Sequence, residues 1–268
     1  MKKIFFTFLF IFFTYNLHSY PDEFYPLRVL ITESQYIVIG LATTFPESEN
    51  DFFHSIVEIK IHQVLKGDID TSLIRFKFDC GYINPYSAYS QDSTLVLAFL
   101  NKDKQGNFYI YGLSDGLKNV AFDNISIYKR LIKDMLEITK IKNTEVRVEK
   151  IVDWLVECSK YEITRYDGVS EIASDLNQQR FNFYPGTPAC FESNSDQKNK
   201  LKQILESIDT VKYYDLEIID ILLGFEDDFL SEWIIQKLEY KYYEMSFIQN
   251  ELEERLKKAN HSPKNKIQ

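Results

Sequence analysis

A chain of 268 residues with 45% hydrophobic content can bury a sizeable core, as one large domain or two ordinary ones. Its net charge of −9 and the lack of a visible basic stripe argue against a nucleic-acid binder, which displaces counterions from phosphates with clustered Lys and Arg, and against an anionic membrane surface as target. Three cysteines are too few, and odd in number, for a disulfide-dense scaffold, so the fold must stand on its core.

The chain opens as an export signal. Met1-Lys2-Lys3 is a positive start, Ile4 to Phe13 is apolar except for Thr7, and Ser19 offers a small residue for cleavage. A spanning helix needs about 20 apolar residues, roughly twice this run. No Cys near the cleavage point offers a lipid attachment site. Residues 1–19 are therefore expected to be removed, leaving Tyr20-Pro21 as the mature start. The expected address is periplasmic or secreted, with no membrane insertion after cleavage.

Residues 20–122 carry the pattern of strands. Leu27 to Glu33 reads as a short helix ahead of them. Tyr36 to Ala42 is a short apolar run rich in branched residues. Phe53 to Leu65 alternates: Ser55, Val57, Ile59 and Ile61 share one face, while His54, Glu58, Lys60 and His62 lie on the other. Lys66-Gly67-Asp68 ends that strand with turn chemistry. Leu73 to Phe78 alternates again. Thr94 to Leu100 is continuously apolar, as in a strand buried on both faces. Phe108 to Tyr111 is a fifth strand, closed by Gly112. Five strands with a long second one predict a small barrel of the OB type, since closure removes edges that invite aggregation.

Residues 123–257 carry helical spacing. Ile125, Tyr128, Ile132 and Met135 form one stripe; Val148, Ile151, Leu155 and Cys158 form the next, after Thr144 as a cap. A third helix is expected from about Ile163 to Leu176. A break at 182–196 contains Pro185-Gly186-Thr187-Pro188, which lacks the Gly-Lys-Ser/Thr ending of a phosphate loop. Helices are expected again over Lys198 to Ile208, Asp215 to Leu223, and Asp227 to about Leu256 with an interruption near Tyr242. Residues 258–268 read as a disordered basic tail. The fold class is α+β: a five-stranded OB-like barrel followed by an all-α bundle or short helical array.

The first half resembles bacterial exported domains related to the netrin module and the tissue inhibitors of metalloproteinases. The resemblance lies in Ile37-Val38-Ile39-Gly40, Val64-Leu65-Lys66-Gly67, Cys80-Gly81-Tyr82 and Leu95 to Leu100, over roughly residues 21–120. It implies an OB-type barrel. The inhibitors bind the protease's zinc through a Cys at their mature N-terminus, and this chain has Tyr20-Pro21 there. The Cys that pairs with the counterpart of Cys80 in the related domains is absent as well. The resemblance therefore carries the fold and not the inhibitory chemistry. The helical half is weakly similar to HEAT-like arrays.

Few residues invite chemistry. Cys80 is the sharpest candidate nucleophile, but Asp79 beside it would raise its thiol pKa, and a base must come from His54 or His62. Those two cannot share a metal with Glu58, because eight strand residues span roughly 25 Å at about 3.3 Å each. Cys158 and Cys190 could instead form a disulfide closing a loop of about 30 residues, which stabilises by roughly 3–4 kcal/mol in the chain-entropy account. Glu226-Asp227-Asp228 suits a helix start better than a calcium loop. Tyr213-Tyr214 and the tyrosines at 240–243 read as core and boundary residues. No cofactor is implied. The expectation is an exported, non-enzymatic binding protein for a protein or glycan, with a periplasmic inhibitor or immunity-type protein, or a hydrolase using Cys80, as alternatives.

Overall fold

The computed structural model describes residues 25–46, 54–79, 94–172, 191–225, 227–239 and 246–261. A short helix α1 (Leu27–Glu33) leads into β1 (Tyr36–Pro46), β2 (His54–Lys66), β3 (Leu73–Asp79), β4 (Thr94–Lys102) and β5 (Phe108–Ile110). All neighbouring strands are antiparallel, in the order β3-β2-β1-β4-β5. Strand β3 also lies against β5, so the sheet nearly closes into a five-stranded barrel. This is the strand order of an OB-type barrel. A sixth strand, β6 (Leu117–Asn119), which the sequence pattern does not predict, pairs with β4.

Alternation decides which way each strand faces. Val38, Val57, Ile59, Val96, Ala98 and Leu100 fill the barrel interior. Ile37, Ile39, Leu97 and Phe99 point the other way, into a second core shared with the helices. Strands β1 and β4 are thus buried on both faces, which is why both read as unbroken apolar runs. β2 instead buries Val57 and Ile59 and exposes Lys60 and His62. Gly40 lets β1 and β2 approach: a Cβ there would sit 2.5 Å from the Lys60 carbonyl oxygen.

The helices are α2 (Ile125–Thr139), α3 (Thr144–Ser159), α4 (Glu162–Ile172), α5 (Ser195–Glu206), α6 (Asp215–Leu222), α7 (Asp227–Leu238) and α8 (Ser246–Asn260). Consecutive helices pair: α3 with α4, α5 with α6, α7 with α8. The pairs then stack, α3 on α5, α4 on α6 and α6 on α8. The predicted cap of α3 is corrected by one residue: Asn143, not Thr144, accepts the Val146 N–H at 3.0 Å. Helix α5 starts three residues before its predicted start, behind a capping box of Asn194 and Gln197. Among the described residues, no helix is long and apolar enough to cross a membrane.

Candidate functional site

Two features at the junction of barrel and helices stand out: a buried charge network and an open groove.

The network surrounds α1. Pro26 at its N-terminus offers no side-chain cap, so the first turn has orphan N–H donors. Asp167 on α4 supplies the acceptor, taking the Leu27 N–H at 3.0 Å. At the C-terminal end, Lys66 at the close of β2 donates to the carbonyls of Ile31 at 2.7 Å and Thr32 at 3.0 Å. The side of α1 is held by Arg28, whose Nε donates to Glu171 Oε2 at 2.7 Å. Its guanidinium lies 5.3 Å from the Phe191 ring centre. Lys118 on β6 completes the set, 3.7 Å from Asp167. Asp115 accepts the Tyr25 N–H at 2.8 Å nearby.

Burial pushes the Asp167 and Glu171 carboxyls above the usual range, against the pull of Lys118 and Arg28 respectively. Burial raises Asp115 for the same reason. Glu171 Oε1 has no hydrogen-bond partner among the described residues. Clusters of this kind occur at active sites and also at structural junctions. Here Arg28, Lys66, Lys118, Asp167 and Glu171 each bond α1 or a partner holding α1, and Asp115 holds the residue at its approach, so the geometry is that of an anchor.

The groove lies between the end of β2 and helix α2. It has a volume of about 760 Å³. Gln63, Val64 and Leu65 form one wall, and Lys129, Ile132, Lys133, Leu136 and Lys140 line the other. Arg130 on the same rim is shared with Glu157 at 3.0 Å and lies over Tyr161. Lys140 pairs with Glu137. Lys129 and Lys133, one helical turn apart, have no ion-pair partner among the described residues. The groove lining thus combines apolar Val64, Leu65, Ile132 and Leu136 with four cationic side chains and one acidic one, Glu137, on a chain of net charge −9.

The residues singled out from sequence do not converge. Cys80, Cys190, the Pro185–Pro188 break, Glu226 and the tyrosines at 240–243 lie outside the described residues, as do residues 1–24 with the expected signal. Cys158 sits in α3, fully buried, with no disulfide partner among the described residues. Burial pushes its thiol well above its usual pKa, and Asp167 and Glu171 push it further. His62 is exposed on β2, His54 lies opposite Asp79, and His261 closes α8 with Nδ1 2.6 Å from the Lys257 carbonyl oxygen. No group of three or more His, Cys, Asp or Glu among the described residues could hold a metal ion. Tyr213 and Tyr214 pack edge to face at 5.2 Å, with Tyr213 also against Tyr166. Asp227 starts α7 and accepts the Gly224 N–H at 2.6 Å, a turn-closing role in keeping with its place at a helix start.

Neither junction feature is legible in the sequence. Asp167 and Glu171 sit four apart on a helix with little amphipathic contrast, so nothing marks them as inward-facing. Lys129, Arg130 and Lys133 are visible in the sequence, but an acidic total hides a local basic rim. Comparison with protein-family models, curated proteins and solved structures finds no match for this chain.

Proposed function

We propose that this is an exported binding protein that docks a partner in the groove between β2 and α2. One observation carries the reading: an open groove of about 760 Å³ lined by apolar side chains and by two lysines with no ion-pair partner among the described residues, built on an otherwise acidic chain. A site that pairs an apolar surface with a few placed polar groups has the general form of a binding site. The buried anchor around α1 supports the same reading, because Lys66 ties the end of β2 to α1 and α1 packs against α2, so both groove walls rest on one support. The positive start and apolar run at the N-terminus support export.

The test uses the mature chain and its K129E/K133E variant as paired baits in extract from the producing cell. Docking in the groove predicts one stoichiometric partner on the wild type, lost from the variant, with both proteins melting at the same temperature. The same partner on both baits would remove the groove from the account.

A further inference from the structure

The anchor around α1 holds more carboxylates than cations. Among the described residues, Asp115, Asp167 and Glu171 face Arg28 and Lys118. Asp167 and Glu171 are buried, one turn apart on α4. Lys118 lies 3.7 Å from Asp167 and also attracts Asp115, so one ammonium serves two carboxylates. Arg28 is committed to Glu171 Oε2, and Glu171 Oε1 is left without a partner. Asp167 acts on both of the other carboxyls, so the three titrate as a set.

A net negative charge in a protein interior is costly, and carboxylates that share a site retain a proton that balances them. One proton brings this set to neutrality with its two cations. Asp115 is half-buried and gives the proton a route from solvent. When α1 undocks, water reaches the carboxyls, the burial that favours their neutral form is lost, and the proton leaves. We propose that docking of α1 takes up this proton, which makes α1 a pH-responsive latch between the barrel and the helical half. The latch is tightest in mild acid and loosens as pH rises. Export, as proposed above, would place it at the pH of the surroundings.

The other titratable groups around the set do not supply this response. Tyr25 meets Asp115 through its N–H and packs against Tyr111, while Tyr128 on α2 and Cys158 on α3 face Asp167. Burial raises Tyr111, Tyr128 and Cys158, so each stays neutral across the range in which the carboxyls titrate. Lys66 and Glu33 meet at the far end of α1, where burial lowers the Lys66 pKa. Loss of the Lys66 proton would also loosen α1 at high pH, so the test separates the two ends.

The test is hydrogen exchange of residues 25–34 in the full chain between about pH 5 and 9, corrected for the intrinsic exchange rate. The buried run Val96–Leu100 of β4 serves as internal reference. Protection of residues 25–34 should fall as pH rises, by up to about tenfold per pH unit for one proton, while β4 stays constant. Asp115→Asn keeps an acceptor for the Tyr25 N–H and removes one charge, so two carboxylates match two cations and the profile should be nearly flat. Lys118→Met removes a cation and should carry the fall to higher pH. Lys66 is untouched in both variants. A fall that persists unchanged in Asp115→Asn would therefore assign the effect to the other end of α1 and overturn the proposal. A flat wild-type profile, or an equal fall in β4, would overturn it as well. Should Asp115→Asn fail to fold, Lys118→Met decides alone: a profile superimposable on the wild type would overturn the latch.

Discussion

The Asp167 carboxylate accepts the Leu27 N–H at 3.0 Å across 140 positions of sequence. That one bond ties the helical half to the helix preceding the barrel. α1 has seven residues, far fewer than an isolated helix needs in water. It persists because Asp167 satisfies its start, Lys66 satisfies its end, and Leu27, Leu30 and Ile31 are completely buried beneath it.

Removing that cap should loosen the junction. Asp167→Ala leaves the Leu27 N–H buried without an acceptor and should destabilise by about 1–3 kcal/mol. Asp167→Asn keeps an accepting oxygen and should cost less. Urea unfolding of the two variants checks the order; equal losses would show that the charge, not the hydrogen bond, holds α1.

The same carboxyls set a pH dependence of unusual sign. Asp167 and Glu171 are raised above their ordinary values of 3.8 and 4.5. The folded state therefore holds protons more tightly than the unfolded state. Their contribution is fully present below those ordinary values and is lost as pH rises through the folded values. Acidification from neutral towards those values should raise the melting temperature of the wild type relative to Asp167→Asn. Parallel melting curves for the two across that range would contradict the assignment.

Arg28 and Glu171 should behave as a coupled pair. Arg28→Met strands a buried carboxylate and should cost about 3–5 kcal/mol, while the double change Arg28→Met with Glu171→Leu should recover most of it. A double-mutant cycle measures the coupling. Additive losses would mean that the two side chains stabilise the junction independently.

Cys158 should be silent in the native protein. Iodoacetamide should leave it unlabelled until denaturant is added, and then label it without reductant. A requirement for reductant would reveal a disulfide that the buried thiol does not show.

Much of the fold is legible in the sequence because period sets burial. The alternation of Val57 and Ile59 with Lys60 and His62 marks β2, and the unbroken run at Val96–Leu100 marks a strand covered on both faces. The α3 stripe faces the core at Leu155 and Cys158, with Ile151 half-buried and its first member, Val148, exposed. β6 escaped because three residues, Leu117–Asn119, are too few to show a period. The junction escaped for a different reason. Arg28, Lys118, Asp167 and Glu171 are brought together only by tertiary packing, and each looks like an ordinary surface charge in its own segment. Gly168 shows the same limit: a Cβ there would lie 2.4 Å from the Leu155 carbonyl oxygen, a close α3–α4 contact that nothing near it in sequence announces.

A photo-crosslinking residue placed at Gln63 tests docking in the groove between β2 and α2 most directly. Irradiation in extract from the producing cell should give one major adduct, which disappears in K129E/K133E while the protein remains folded. An adduct unaffected by charge reversal, or one that forms equally from a probe at Tyr213 in the turn before α6, would contradict groove docking.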